Sequence, residues 1–373
     1  MSSTHPPSGS GHHDVLGAQE HPDLRRSLWQ LANSVVPYVL LWVLMVHSLS
    51  VSYALTLGLA VLASGFLVRI FIIFHDCGHG SFFRSRRAND VVGFLTGALT
   101  LTPHRQWWRQ HLRHHGSAGD LDRRGTGDVW TMTVKEYRAA SRWRRLVYRT
   151  VRQPFFMLAV GPFVMFAILA RFPTRDSRRP EVLGIMATNL VIAGAIAALV
   201  ATIGWRAYLM IHLPIVALSG AAGIWLFYVQ HQFEGAYWSR RADWDYVSAA
   251  VEGSSFYRLP RLLQWFSGNI GFHHVHHLNA RVPNYRLEEC HRGDPQLRSV
   301  RPVTLRASLA SLSLRLWDEE AGRMVGFAAA RASRASRAQR AQRAPRAPRA
   351  QRARQRRQAQ AQAQRAQEQR AEE

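Results

Sequence analysis

Cysteine is scarce in this chain of 373 residues, which contains only Cys77 and Cys290. Two cysteines in no zinc-finger or redox spacing exclude a disulfide framework and a cysteine-bound iron–sulfur cluster. A GxGxxG nucleotide loop is also missing, so the chain has no dinucleotide site of that type. The first 24 residues contain no apolar core followed by a cleavage site. We therefore expect a polar, disordered tail there rather than a secretory signal peptide.

Lysine is almost absent, since Lys135 is the only one, and arginine carries nearly all of the formal net charge of +24. Residues 331–373 hold 13 arginines against 3 glutamates, in repeated Arg-Ala-Ser, Arg-Ala-Gln and Arg-Ala-Pro triplets. This stretch has no apolar face, and we expect a solvated, disordered tail. The alternative is an arm that binds an anionic lipid surface or nucleic acid. If the tail binds a partner, we favour the anionic lipid surface over nucleic acid, and we expect no specific nucleic-acid partner.

Long apolar runs are abundant, and 47% of the residues are hydrophobic. About 20 helical residues cross the hydrocarbon core of a bilayer. Several runs approach or exceed that length with few internal charges, which predicts an integral membrane protein. We place a tail at residues 1–27, the membrane domain with its cap at 28–325 and the low-complexity tail at 326–373. The five runs are Val35–Leu49, Tyr53–Phe74, Phe155–Phe172, Val182–Ile203 and Ala207–Val229.

Three short stretches concentrate histidines at helical spacing. The first has two histidines at i and i+4, and the other two each have three at i, i+3 and i+4. Residues at these offsets share one face of a helix, so each stretch presents a convergent set of ring nitrogens. Imidazole-rich ligation without sulfur suits iron, copper, zinc or nickel. Eight imidazoles are too many for one ion and are suited to two. They are His75, His79, His111, His114, His115, His273, His276 and His277.

A metal site shared by the three stretches requires all of them on one side of the membrane. Arg25 and Arg26 precede the first run, and positive flanks favour the cytoplasm. Arginines flank both ends of Phe155–Phe172, which predicts a re-entrant or interfacial segment broken by Pro154 and Pro162. We therefore predict an all-α integral membrane fold. It has four transmembrane helices in two hairpins and a cytoplasmic helical cap that holds a two-metal site, and both termini are cytoplasmic.

This topology adds His231, which directly follows the last span at the depth of His75, as a ninth ligand. His274 points about 100° away from the ligand face and is expected to support a ligand from behind. Metal-bound imidazoles usually donate their other N–H to a carboxylate or carbonyl. The carboxylates near the stretches are Asp76, Asp120, Asp128, Glu234, Asp243 and Asp245. Seven further histidines are expected to be ordinary surface or core residues: His5, His12, His13, His21, His47, His212 and His291.

The three stretches resemble the histidine boxes of membrane fatty acid desaturases. They read HDCGH from His75, HLRHH from His111 and HHVHH from His273, and the resemblance covers about residues 30–300. Three residues separate the histidines of the first box, as in the acyl-lipid branch of the family. The stretch Gly119–Trp130 resembles bacterial acyl-lipid enzymes of the Δ12 (ω6) type. The order HxxxH, HxxHH, HxxHH with hydrophobic hairpins between is highly specific to this superfamily.

The resemblance implies a membrane enzyme that introduces a cis double bond into an acyl chain, on membrane lipids. It implies two non-haem irons bound by nine histidines, O2 as co-substrate and electrons from an external carrier, with a ferredoxin and its reductase as expected donors. The implied location is the cytoplasmic (inner) membrane. The implied ligands are His75, His79, His111, His114, His115, His231, His273, His276 and His277. No catalytic residue beyond these ligands is expected.

Three alternatives stay open at this point. Iron ligands alone do not distinguish a desaturase from a hydroxylase, ketolase or carotenoid-modifying oxygenase of the same superfamily. A histidine-rich metal transporter belongs to another class, but transporters place their ligands within the spans near the bilayer midplane. A membrane-tethered nucleic-acid binder depends on the arginine-rich tail alone. Trp107 and Trp108 either line an acyl-chain slot or anchor the protein at the membrane interface, and we favour the anchor.

Overall fold

The fold is given by a computed structural model, which describes residue 17 and residues 19–125 and 127–330. Most of the predicted tail at 1–27 and nearly all of that at 326–373 lie outside the described residues. Four long helices dominate the described part, and shorter helices fill the connections between them. In chain order the α-helices are α1 (Leu24–Ser48), α2 (Tyr53–His79), α3 (Arg86–Leu99), α4 (His104–Ser117), α5 (Val134–Ala139), α6 (Arg142–Val151), α7 (Arg179–Ile203), α8 (Trp205–His231), α9 (Tyr246–Val251), α10 (Arg261–Phe266), α11 (His273–Leu278), α12 (Leu287–Gly293), α13 (Pro295–Arg298) and α14 (Leu305–Ser308).

Four of the described helices, α1, α2, α7 and α8, are long and apolar enough to cross a membrane. They form two hairpins, α1–α2 and α7–α8, as the sequence predicts. Met45, Ile70 and Ile211 are fully buried where α1, α2 and α8 pack together. Leucines on the outer faces are largely exposed, for example Leu40 at 56% and Leu190 at 75%. Because the helices satisfy their own backbone hydrogen bonds, such faces are suited to lipid. The predicted all-α membrane fold is confirmed.

The apolar run between α6 and α7 is not a straight helix. It is π-helical over Phe156–Val160 and Phe163–Ile168 and ends in a 3-10 turn at Leu169–Arg171. The segment bends by 67° relative to α6, a geometry shared by a broken span and a re-entrant loop. Arg171 holds its end, because the guanidinium donates to Asn189 of α7 and to the carbonyl of Leu101. The bend agrees with the predicted re-entrant segment.

The cap consists of short elements from residues 80–178 and from the chain after α8. The cap contains two small sheets, and the first of them ties these two parts together. Strand β1 (Met132–Thr133) pairs in parallel with β4 (Leu316–Asp318), which pairs antiparallel with β5 (Arg323–Val325). Strand β2 (Phe256–Arg258) pairs in parallel with β3 (Pro302–Thr304). The strands are only two or three residues long, so the helical character of the fold is unchanged.

The cap core lies directly behind the third histidine stretch. Val275 on α11 is fully buried and belongs to one cluster with Ile72 of α2, Leu287 and Leu297. Arg152, at the end of α6, was expected only as a positive flank of the membrane segment. Its side chain is instead buried at 2% exposure and donates to Gln232 at 2.8 Å and to the Leu314 carbonyl at 2.9 Å. These contacts fix the cap onto the end of α8.

Candidate metal centre

Nine histidines converge at the junction of the spans and the cap. They form two groups, and within each group one nitrogen from every ring lies within 4.8 Å of the corresponding nitrogens of the others. The five-histidine group is His75, His79, His111, His115 and His276. The four-histidine group is His114, His231, His273 and His277. Every residue that the sequence selects as a ligand therefore belongs to one of the two groups.

Local helix geometry explains the convergence. His75 and His79 occupy the last two turns of α2, which is followed by Gly80 in a left-handed conformation with φ of 69°. His231 is the last residue of α8. The histidines of the second and third stretches lie on one face of α4 and of the short α11, as their i, i+3, i+4 spacing predicts. Two spans and two cap helices thus meet at one place.

In the five-histidine group, successive Nε2 atoms lie in close contact. The Nε2 atom of His111 lies 3.0 Å from that of His75 and 3.1 Å from that of His115. The Nε2 atom of His276 lies 3.1 Å from that of His115. His79 completes the group, and its buried Nε2 atom has no hydrogen-bond partner. Its ring lies 4.8 Å from the rings of both His75 and His115.

The four-histidine group is built around His231. Its Nε2 atom lies 3.0 Å from Nε2 of His114 and 3.0 Å from Nε2 of His273. The Nε2 atom of His277 is buried without a hydrogen-bond partner. The His277 ring stacks on that of His115 with centroids 4.1 Å apart, which places the two groups side by side.

Two of the six candidate carboxylates contact the histidines. Oδ1 of Asp76 lies 3.0 Å from Nδ1 of His75, and Asp128 is hydrogen-bonded to Nδ1 of His114. A carboxylate at Nδ1 fixes the ring so that Nε2 is free to bind a metal. The other four have no recorded contact with these rings: Asp120 pairs with Arg123, Asp245 caps α9, and Glu234 and Asp243 have no described bond to a histidine.

One contact at the site had no signal in the sequence. Asn284 donates to Oδ2 of Asp76 from its backbone N at 2.7 Å and from its side chain at 2.8 Å. The two positions are 208 residues apart in the chain, so no local pattern could reveal the contact. Trp107 is also placed differently from its favoured interface role. Its ring stacks on that of His111 with centroids 4.4 Å apart and packs on Phe74, whereas Trp108 is 37% exposed.

His274 lies outside both groups, as its position on α11 predicts. Its Nε2 atom is 3.1 Å from Nδ1 of His291, and both rings pack against Phe256. Burial lowers the pKa of His274 to about 3, so the ring is neutral at neutral pH. His274 therefore supports α11 from the cap side. His291 is the satisfied core histidine that was expected.

The clustered rings on the cap helices are kept neutral. Burial lowers the pKa of five of these histidines well below 6.5, and the neighbouring rings lower it further. A metal binds the neutral imidazole, so the site is prepared to accept an ion rather than protons. These histidines are His111, His115, His273, His276 and His277.

The donor set fits two transition-metal ions. Nitrogens 3.0 to 3.1 Å apart match the edge of an octahedron whose centre is about 2.1 Å from each corner, a usual metal–imidazole distance. The buried, unpartnered Nε2 atoms of His79 and His277 would be costly without an ion to accept their lone pairs. Imidazole donors exclude a site built for calcium or magnesium.

Comparison with known proteins gives consistent matches. The family model described as fatty acid desaturase matches residues 50–306. A fatty acid desaturase of Bacillus subtilis (strain 168) is 51% identical over 316 residues, which cover 85% of this chain and 90% of that protein. A sn-1 oleoyl-lipid 12-desaturase of Synechocystis is 28% identical, covering 60% of this chain and 64% of that protein. A sn-1 acyl-lipid omega-3 desaturase (ferredoxin) of Synechocystis is 25% identical, with coverages of 58% and 61%.

Proposed function

The chain belongs to the fatty acid desaturase family and is a membrane oxidoreductase, and from this premise we propose that its nine histidines hold two iron ions. The convergence of nine imidazoles into a group of five and a group of four carries the proposal. Iron is the family's metal, and the donor chemistry accommodates it. Bound iron supplies, with O2 and two electrons, the oxidant for an unactivated C–H bond, which no side chain provides.

The proposed reaction removes two hydrogens from neighbouring carbons of an acyl chain and leaves a cis double bond. O2 is reduced to two molecules of water with two electrons from a carrier and two protons. This chain's residues hold the rings in the metal-binding orientation and keep water out. Asp76 and Asp128 hold the Nδ1 sides of two rings, and Trp107 stacked on His111 provides an apolar wall.

The proposed substrate is the acyl chain of a membrane lipid, and the proposed electron donor is a ferredoxin with its reductase. Two relatives support both points, because their names specify lipid-bound acyl chains and, in one case, ferredoxin. The two cysteines and the missing nucleotide loop are consistent with an external electron source. Arginines on the site side would attract an acidic carrier.

We place the metal centre on the cytoplasmic side of the inner membrane, with both termini there and the domain limits at 28 and 325. The α1–α2 turn at 49–52 carries no charge, whereas the connections on the metal side contain many arginines. Positive loops favour the cytoplasm. The arginine-rich tail would then face the anionic lipid surface of that leaflet.

The transporter alternative is not supported. The relatives are desaturases, and the proposed ligands on α2 and α8, His75, His79 and His231, lie in the last two turns of these helices rather than at the middle of the spans. A hydroxylase or ketolase of the same superfamily is distinguished by its product. The test is an assay of the purified, iron-loaded protein in lipid nanodiscs with ferredoxin, its reductase, NADPH and O2. We expect a new alkene in phospholipid acyl chains. A hydroxylated chain as the main product would overturn the assignment.

A further inference from the structure

A lateral crevice opens beside the metal centre, between α3, the start of α4 and α7. Its volume is about 290 Å³, and most of its wall is apolar. Val91 and Leu95 form part of this wall and are 58% and 54% exposed, so the crevice continues into an apolar outer surface. In a protein with four candidate spans, such a surface faces lipid. We call this cavity the α3–α7 crevice.

The polar end of the crevice is charged and unpaired. Arg105 and Asp90 both border the cavity and are exposed. Within the described ranges, neither side chain has a hydrogen bond or an ion pair. His104 also lines the cavity at 8% exposure, but its Nε2 edge packs against Gly93 of α3, where a Cβ would lie only 2.4 Å away. Arg105 is therefore the group at the crevice that is free to pair with an anionic ligand. Burial lowers the pKa of His104 and keeps its ring neutral.

Two aromatic rings, those of Phe74 and Trp107, lie between His104 at the crevice and the five-histidine group. The Phe74 ring lies 5.5 Å from that of His104 and 4.8 Å from that of Trp107. Trp107 in turn stacks on His111. His104 and His111 are on the same helix, about 10 Å apart at 1.5 Å per residue. A molecule seated in the crevice therefore lies close to the proposed irons.

We propose that the α3–α7 crevice binds a glycerophospholipid from the bilayer, with its phosphate at Arg105 and an acyl chain against Val91, Phe94 and Leu95. This proposal rests on the proposed function, because it identifies where the lipid substrate enters. An acyl chain matches the apolar wall, and a phosphate matches the unpaired guanidinium of Arg105. Charge complementarity supports a phosphate-bearing ligand, and continuity with the lipid-facing surface favours a bilayer lipid over a soluble acyl thioester.

Two glycines on α7 provide a matched pair of variants. Gly184 lines the crevice, and a Cβ there would meet Arg105 at 3.9 Å, an ordinary contact. Gly184→Leu is therefore expected to fill the space without breaking the helix packing. Gly194 lies on the same helix, and a Cβ there would meet nothing within 4 Å. Gly194→Leu makes the same chemical change away from the crevice.

The test uses the full-length, iron-loaded protein in nanodiscs that contain a phosphatidylglycerol with a diazirine in its acyl chain. After irradiation, mass spectrometry maps the labelled peptides. We expect preferential labelling of α3 and of α7 around Thr188. Gly184→Leu and Arg105→Gln should each reduce this labelling about tenfold. For Arg105→Gln, a tenfold loss corresponds to about one hydrogen bond to a charged group. Gly194→Leu and the exposed Arg306→Gln should leave it unchanged.

A photoactivatable diacylglycerol, which lacks the phosphate, separates the two parts of the ligand. Its labelling should fall in Gly184→Leu but not in Arg105→Gln. Uniform labelling of all lipid-facing surfaces, or equal labelling in Gly184→Leu and wild type, would overturn the proposal. Desaturation by Gly184→Leu at the wild-type rate would overturn it as well and leave the proposed function intact. Labelling of the crevice without any product from wild type would contradict the proposed function instead.

Discussion

Nδ1 of His75 lies 3.0 Å from Oδ1 of Asp76, the next residue in the chain. The other carboxylate oxygen accepts two hydrogen bonds from Asn284, at 2.7 and 2.8 Å. The carboxylate is therefore held from the cap side while it orients a ring on the membrane span. Nε2 of His75 is left facing Nε2 of His111 at 3.0 Å, where a metal ion would bind.

Replacing Asp76 with Asn should weaken iron binding by about 10- to 100-fold, as loss of a supporting carboxylate usually does. The amide keeps the size of the side chain but lacks the charge that favours donation from Nδ1. Iron retained after dialysis against a graded series of chelator measures the effect. Asp243→Asn, at an exposed carboxylate without a recorded bond to the histidines, is the control. Equal retention by Asp76→Asn and wild type would refute the role of Asp76.

His231 is the proposed ligand with the weakest sequence pattern, and it can be tested against a histidine of the same helix. His231→Ala removes the central member of the four-histidine group and should lose about half of the bound iron, because one of two ions loses a ligand. His212 stacks on Tyr208 and lies in neither group. His212→Ala should therefore keep the full iron content in elemental analysis. Full iron content in His231→Ala would rule out the nine-ligand set.

The metal-free protein should lose stability in acid. Burial lowers the pKa of His111, His115, His273, His276 and His277 below 6.5, so the unfolded chain binds more protons than the folded chain below that pH. The free energy of unfolding should be constant above about pH 6.5 and fall as the pH drops below it. Thermal unfolding in detergent from pH 8 to pH 5 measures this. A midpoint that does not change, or rises, in acid would contradict the buried, neutral state of these rings.

Substitution by alanine should have opposite effects on stability at two glycines. At Gly97 of α3, a Cβ would lie 2.5 Å from the Thr102 carbonyl oxygen and 3.0 Å from the Phe74 ring. Gly97→Ala should destabilise the protein by about 1–3 kcal/mol, the usual cost of overpacking. Gly58 of α2 has nothing within 4 Å of a Cβ. Gly58→Ala should stabilise it slightly, since alanine favours the helix. Thermal unfolding of both variants in detergent checks the sign of each change in stability. A Gly97→Ala variant as stable as wild type would mean that α3 packs more loosely at this position.

The spans and the histidine stretches could be predicted because their signals are local and periodic. A run such as Val182–Ile203 is long and apolar, and His273, His276 and His277 repeat at helical spacing. His231 followed from topology, since it had to lie at the depth of His75. These predictions needed only helix geometry and the thickness of a bilayer.

Contacts between distant parts of the chain could not be predicted in the same way. Asn284 meets Asp76 across 208 residues, and Arg152 enters the cap core where its sequence context indicated only a charged membrane flank. The α3–α7 crevice depends on how three helices pack and on small side chains such as Gly184. Such features arise from tertiary packing, which leaves no periodic pattern in the sequence.

The most direct test of the account is the fatty-acid profile of a host that lacks polyunsaturated lipids. The host co-expresses this protein with a ferredoxin and its reductase. Gas chromatography–mass spectrometry after double-bond derivatisation identifies the products. We predict a new cis alkene at a single position, and its complete loss in the His276→Ala variant. The same alkene in His276→Ala, or no new alkene from a wild-type protein shown to contain two irons, would contradict the account.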